Sequence, residues 1–394
     1  MDIRIVNDQI QNAIAFFTKE TGIMDSLAVS FGDHQQCYAA WDGQDTSNHA
    51  LFDLASVTKI FTGLCMMRLW EEGELNPYQR VTYYCPEFSR LGSVTVEQLM
   101  GFQVRLVTPE RIDAQPDRDF ALRCLREVYS VGAVVGRAYS DIPAMVLKYV
   151  IEEAAGMPFM QYIQSSILAP AGMENTFAQV PANRLSSCLL YGPEYRIEKE
   201  NWICRDDIQR GIPHDPKAAL LQGNTDDLCG HAGLFSTLED MQKLAKALLS
   251  EKIISRNSLH CMAVNRTGRQ RSDGSYTQYL GYCCYRKHPD QYFSEIPVAM
   301  SEEAFGIGGF TGNHFSVDPV TGRYTIFLGN RVRNRLTVLI PTPDKRLEDY
   351  GLQPDGVGKI RWTNGTLHPS SVNYVHQKDQ HLHAVIDQIL SDSF

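Results

Sequence analysis

The sequence predicts a mixed α/β (α+β) fold: an antiparallel sheet flanked by helices, with a mainly helical lobe inserted. Strand-like segments lie near both ends of the chain and helix-like segments fill its middle. The element order does not repeat strand–helix–strand, which disfavours a doubly wound parallel sheet. The 394 residues are 43% hydrophobic, enough for a sizeable core. We expect one unit over 1–394, with residues 1–72 and 176–394 as the α/β lobe and 73–175 as the helical lobe.

The N-terminal stretch MDIRIVNDQIQNAIAFFTKETG reads as an amphipathic helix with Ile10, Ala13, Ile14 and Phe17 inward. It lacks the basic start, unbroken apolar run and small-residue cleavage site of a signal peptide, so a cytoplasmic location is expected. Residues 27–41 read as a hairpin: LAVSF is one strand, Gly32-Asp33 the turn and 36–41 the return. A polar loop over 42–49 leads to residues 51–73, LFDLASVTKIFTGLCMMRLWEEG. There Ile60, Leu64 and Met67 form one helical stripe, Phe61, Cys65 and Leu69 the next, and Gly73 is the stop. Met66, Met67 and Trp70 are assigned to the core.

Helices are expected at 95–100, 117–128, 140–156 and 159–168. The third has Asp141 as a candidate cap, Pro143 in its first turn and Gly156 at its end. Residues 176–235 read as loop-rich. Residues 238–249 and 255–263 read as helices, 279–286, 314–318 and 324–330 as strands, 331–379 as irregular and 380–390 as a closing helix.

The net charge of −9 argues against nucleic acid or an anionic membrane as the main partner. No apolar run reaches 18 residues, so no membrane span is expected. Ten cysteines without Cys-x-x-Cys spacing read as reduced structural thiols. His376, His381 and His383 lie in a polar tail without a carboxylate or cysteine framework, and no metal or other cofactor is expected.

Ser56 and Lys59, three apart at a helix start, share one face. Ser-x-x-Lys alone is weak, since a capping serine and a solvated lysine give the same text. Two further stretches join it: Tyr139-Ser140-Asp141 before a helix, and Gly306-Ile307-Gly308-Gly309-Phe310-Thr311-Gly312 before a strand. In this order and at these separations the sequence resembles the serine β-lactamase-like family: class C β-lactamases, penicillin-binding DD-peptidases and related esterases. LFDLASVTK, YSDIPAMVLKYVIEEAAG, LAPAGMENT, the HDP of His214 to Pro216, GHAGLFST and LGNRV extend the likeness over about residues 27–332.

The resemblance implies a β-lactamase/transpeptidase-like fold and acyl transfer through Ser56. Ser56 attacks an acyl carbon and forms an ester. Lys59 is one candidate base, although its ordinary pKa of about 10.4 must fall by about three units, roughly 4 kcal/mol, to act near neutral pH. Tyr139 is the other, relaying protons if Lys59 stays charged. The oxyanion donors implied by the family are the N–H groups of Ser56 and Phe310, with Gly308 and Gly309 giving substrate close access to the strand.

Three departures from the family stand out. Asp141 replaces an Asn of many relatives; it either faces Lys59 and holds it charged or caps the helix. Ile307-Gly308-Gly309 replaces Lys-Thr-Gly, so the carboxylate grip of β-lactamases is missing. This favours ester or amide substrates without an obligatory carboxylate. Arg331, Arg333 and Arg335 are candidate replacements, although such a trio is more often a solvated face. Third, residues 98–104 differ from the family's phrase at the cleft rim. His214 and His231 read as loop-fixing residues.

The glycine run at 306–312 lacks dinucleotide-site spacing, and no Gly-x-Ser-x-Gly elbow exists. The expected activity is a serine hydrolase cleaving a small-molecule or peptide ester or amide. A β-lactamase or DD-peptidase, an acyltransferase and a non-catalytic ligand-binding relative remain as alternatives, and the oligomeric state is open.

Overall fold

A computed structural model of the chain describes residues 3–392, except 34, 44, 45, 48, 135 and 291–294. Three residues of the expected polar loop, 44, 45 and 48, therefore lie outside the described residues.

Six antiparallel strands form the central sheet, in the order Cys37–Gly43, Ser26–Gly32, Arg323–Gly329, His314–Asp318, Phe305–Gly308 and Tyr285–Arg286. The two ends of the chain meet in it: Leu27 lies opposite Gly329 and Phe31 opposite Thr325. Strand Ser26–Gly32 is buried at every position, because its alternate residues serve two cores. Leu27, Val29 and Phe31 pack with Ile10, Ile14, Phe17, Ile386 and Ile389 of the terminal helices. Ala28 joins Ile326, Leu328, Phe315 and Val317 in a larger core shared with the middle helices. The sheet is thus the middle of three layers.

Helix Thr58–Glu71 is buried at every position from Thr58 to Met67 and at Leu69. The two apolar stripes do not mark an amphipathic helix but one surrounded by protein. It packs against helix Ile142–Ala155, and Gly73, at φ +78°, ends it. Thr95 and Gln98 form a capping box on Val96–Met100.

Several expectations need correction. Only Tyr285–Arg286 of 279–286 is strand. The loop-rich 176–235 stretch holds strands Glu194–Glu198 and Asn201–Arg205, which join Arg335–Ile340 in a second sheet. The irregular 331–379 stretch also holds the hairpin of Lys359–Arg361 with Leu367–Pro369, and helix Tyr374–Lys378. Strands of three to six residues in charged surroundings carry too few alternating positions to be read. The histidine tail is not solvated: His383 is buried and His381 stacks on Phe16 with ring centroids 4.0 Å apart. All ten cysteines are free, Cys37 and Cys204 on the surface. No helix among the described residues is long and apolar enough to cross a membrane.

Candidate active site

The loop before Ser56 is fixed by a buried carboxylate. Asp53 Oδ1 accepts from the Ala55 N–H at 2.9 Å and Oδ2 from the His214 N–H at 2.7 Å. Its carbonyl oxygen accepts from Thr311 Oγ1 at 2.9 Å and Asn313 Nδ2 at 2.6 Å. One residue therefore ties the nucleophile loop to two others. Ala55 sits at φ +46°, a left-handed conformation that costs an alanine energy and is held by these bonds. A 3₁₀ turn, Ala55–Val57, then carries Ser56 into the buried helix.

Lys59 lies one turn on and is fully buried. Its Nζ donates to Ser56 Oγ at 3.0 Å, to Asp141 Oδ1 at 2.8 Å and to the His231 carbonyl at 3.0 Å. Burial alone would lower its pKa; the Asp141 carboxylate and the Tyr139 hydroxyl outweigh that and raise it. Asp141 occupies the cap position of Ile142–Ala155 but makes no side-chain cap bond. Its second oxygen meets Lys217 Nζ at 3.1 Å. The capping alternative is therefore set aside: the carboxylate faces Lys59 and Lys217. Burial pushes the Asp141 carboxyl up, and Lys59, His231 and Lys217 together hold it well below the carboxylate range.

Tyr139 is stacked between Phe102, at 5.6 Å, and Tyr285, at 5.3 Å. Gln278 Oε1 accepts from its backbone N–H at 3.0 Å. Lys59 Nζ is 5.0 Å from the ring centroid. Burial raises the pKa of the hydroxyl more than the Lys59 charge lowers it. The resting site thus holds an ammonium on Lys59 and a neutral phenol on Tyr139. Lys59 is charged, as the Asp141 carboxylate leads one to expect, but no resting phenolate follows.

Ser56, Tyr139, Asp141 and Tyr285 line a cavity of about 420 Å³. Its far wall is Gly308, the last residue of strand Phe305–Gly308, with the turn after it, closed by the Gly312 N–H on the Gly309 carbonyl at 2.9 Å. Gly309 must be glycine, since a Cβ there would lie 2.8 Å from the Leu54 carbonyl oxygen of the nucleophile loop. Phe310 follows, its ring stacked on His214 at 5.7 Å. Ile307 points into the core. A Cβ on Gly308 would lie 2.9 Å from Glu295 Oε2, a carboxylate held by Lys378 at 2.7 Å. The lysine and threonine grip has no substitute on this strand.

The solvated-face reading of the arginine trio is overturned. Arg331 is buried, lines the cavity, and donates to the Phe310 carbonyl at 2.7 Å and the Ser371 carbonyl at 3.0 Å. Arg333 and Arg335 turn away to Asp25. His214 and His231 do fix loops, by Glu194 Oε2 at 3.0 Å and Asp215 Oδ1 at 2.9 Å. Carboxylate oxygens of Asp141 and Asp215 and a nitrogen of His231 lie within 4.8 Å of one another. Lys59 and Lys217 already balance those carboxylates. Sequence reasoning missed Asp53, Asp215, Lys217, Glu295 and Lys378, and also Tyr374, which lines the cavity and donates its hydroxyl to the Gly312 carbonyl at 2.7 Å. Asp53 and Asp215 lay inside quoted phrases, the one signal that pointed to them.

The sequence pattern of the β-lactamase family matches residues 25–340. The chain belongs to the β-lactamase family. A relative from Salmonella typhi, named "Putative D-alanyl-D-alanine carboxypeptidase", is 24% identical over 311 residues, which is 72% of this chain and 70% of the relative. Among solved structures, EstCE1, described as a hydrolase with promiscuous acyltransferase activity, superposes with a TM-score of 0.65 at 19% identity, over 83% of this chain and 94% of that one. A penicillin-binding protein homologue from Caulobacter crescentus gives 0.64 at 17% identity, over 84% and 93%. These likenesses establish the fold of the β-lactamase family member.

Proposed function

We propose that this chain, a serine hydrolase of the β-lactamase family, cleaves an ester or amide through an acyl-enzyme on Ser56. The observation that carries the reading is the fully buried Lys59 ammonium 3.0 Å from Ser56 Oγ and 2.8 Å from Asp141. Ser56 Oγ attacks the acyl carbon while its proton passes to the Lys59–Tyr139 pair. The pair accepts it only when one proton short of its resting state. The developing oxyanion is met by the N–H groups of Ser56 and Phe310. The leaving group departs with the proton. Water then attacks the Ser56 ester, returning the serine and releasing the acid. With Ile307 in the core and Glu295 against Gly308, substrates without an obligatory carboxylate fit this wall best.

Intact-mass measurement after treatment with a fluorophosphonate tests the reading. One adduct is expected on the wild type and none on Ser56→Ala. An unlabelled wild type, or a labelled Ser56→Ala, removes Ser56 as the nucleophile.

A further inference from the structure

The charges around Lys59 form a closed ring. Lys59 Nζ donates to Asp141 Oδ1, Asp141 Oδ2 meets Lys217 Nζ, and Lys217 Nζ meets Asp215 Oδ2 at 3.2 Å. Asp215 Oδ1 faces His231 Nε2 at 2.9 Å, and the His231 carbonyl returns to Lys59 Nζ at 3.0 Å. Two ammonium groups alternate with two carboxylates, so these four charges cancel. Lys217 is held at both ends. Its backbone N–H donates to Asp215 Oδ1 at 2.9 Å, at the start of helix Pro216–Leu221, and its side chain is only 22% exposed.

Asp141 makes this arrangement necessary. The Asp141 carboxylate places a negative charge 2.8 Å from Lys59, which on its own would lock the proton on. Resting on the function proposed above, we propose that Lys217 is a positioning residue that offsets Asp141, keeping the Lys59–Tyr139 pair able to release the proton that Ser56 attack requires. The same charge acts whichever member of the pair is the base.

The groups facing the ring come from every element around it. Lys59 comes from the buried helix, Tyr139 and Asp141 from the segment before Ile142–Ala155, Asp215 and Lys217 from the Pro216 turn, and His231 from its own loop. Farther out, Arg137 lies 5.9 Å from the Tyr139 ring centroid, Tyr285 stacks on that ring, Asp113 feels the Lys217 charge, and the Cys283 thiol feels that of Lys59. Burial pulls the Lys217 pKa down, but Asp215 and Asp141 raise it overall, so the offsetting charge is present throughout the neutral range.

The test is the pH dependence of the fluorophosphonate labelling rate of Ser56, read by intact mass on the full chain. With Lys217→Met the acidic limb should move up by about one pH unit or more, so labelling at pH 7 falls about tenfold while the high-pH plateau stays near wild type. Asp141→Asn should move the limb the other way. Asp141→Asn/Lys217→Met, which removes both charges, should bring it back to within a few tenths of a unit of wild type. The double variant and Asp141→Asn also read the coupling if Lys217→Met does not fold. A merely structural lysine would lower the rate equally at all pH values. An unmoved limb in Lys217→Met or Asp141→Asn, or a double variant no closer to wild type than Lys217→Met, overturns the inference while Ser56 still labels. A wild type that never labels overturns the function reading and this inference together.

Discussion

Lys59 and Arg331 are both buried cations beside the same cleft, and the chain treats them in opposite ways. Lys59 has a carboxylate at 2.8 Å, and its pKa is raised despite full burial. Arg331 has no carboxylate within ion-pair distance among the described residues. It spends two donors on backbone carbonyls, and burial pulls its pKa down to about 10. Burial is common to both, so the counter-ion makes the difference. At Lys59 the charge belongs to a chain of alternating ammonium and carboxylate groups beside Ser56. At Arg331 it is a fixed strut, gripping the carbonyls of Phe310 and Ser371 beside the cleft. The fork of a guanidinium suits that second task because its donors are rigidly spaced.

Breaking the Lys59 side of the comparison should give the largest effect. Lys59→Met removes the ammonium 3.0 Å from Ser56 Oγ and leaves Asp141 paired with Lys217. Fluorophosphonate labelling of Ser56 should fall about 10²–10⁴-fold, the range of a lost general acid–base group, with circular dichroism unchanged. Labelling within a few-fold of wild type would show that Lys59 only fills space.

The same contrast explains what could be read in the sequence. Lys59 was legible because its partner is local: three residues from Ser56 on a helix start, spacing alone fixes the juxtaposition. The antiparallel sheet was legible at LAVSF and 314–330, where alternation runs long enough to count. Asp141 was half legible. A residue type that caps helices also binds ammonium groups, and only the missing cap bond separates the two. Lys217 and Arg331 were not legible, because each depends on contacts far apart in the chain. Lys217 meets Asp141 across 76 residues, and Arg331 meets Ser371 across 40. A run of three arginines looks solvated until the fold buries one of them beside Phe310.

Arg331→Met should do less than Lys59→Met and do it differently. It relieves an unpaired buried charge but leaves the Phe310 and Ser371 carbonyls without their donor. Each such loss costs about 1–3 kcal/mol. The balance should be a destabilisation of about 1–3 kcal/mol in urea unfolding, with a Ser56 labelling rate reduced about tenfold at every pH and its acidic limb unmoved. A moved limb would mean that Arg331 is coupled to the ring after all, and the division between proton-moving and strut cations would fail.

The smallest effect is on stability at alkaline pH, where the two cations should act with opposite sign. The folded pKa of Lys59 lies above its unfolded value. Its contribution is therefore complete below about pH 10.4 and is lost as pH rises from there towards the folded value. The folded pKa of Arg331, about 10, lies below its ordinary value of 12.5. The folded state therefore binds that proton more weakly than the unfolded chain, and the penalty, complete below about pH 10, is relieved as pH rises beyond it. Wild type should then gain on Arg331→Met, and lose ground against Lys59→Met, as unfolding midpoints are compared from pH 9 to pH 11. Two differences that run in parallel would mean that the Asp141 partner, present for one cation and absent for the other, does not set their charge.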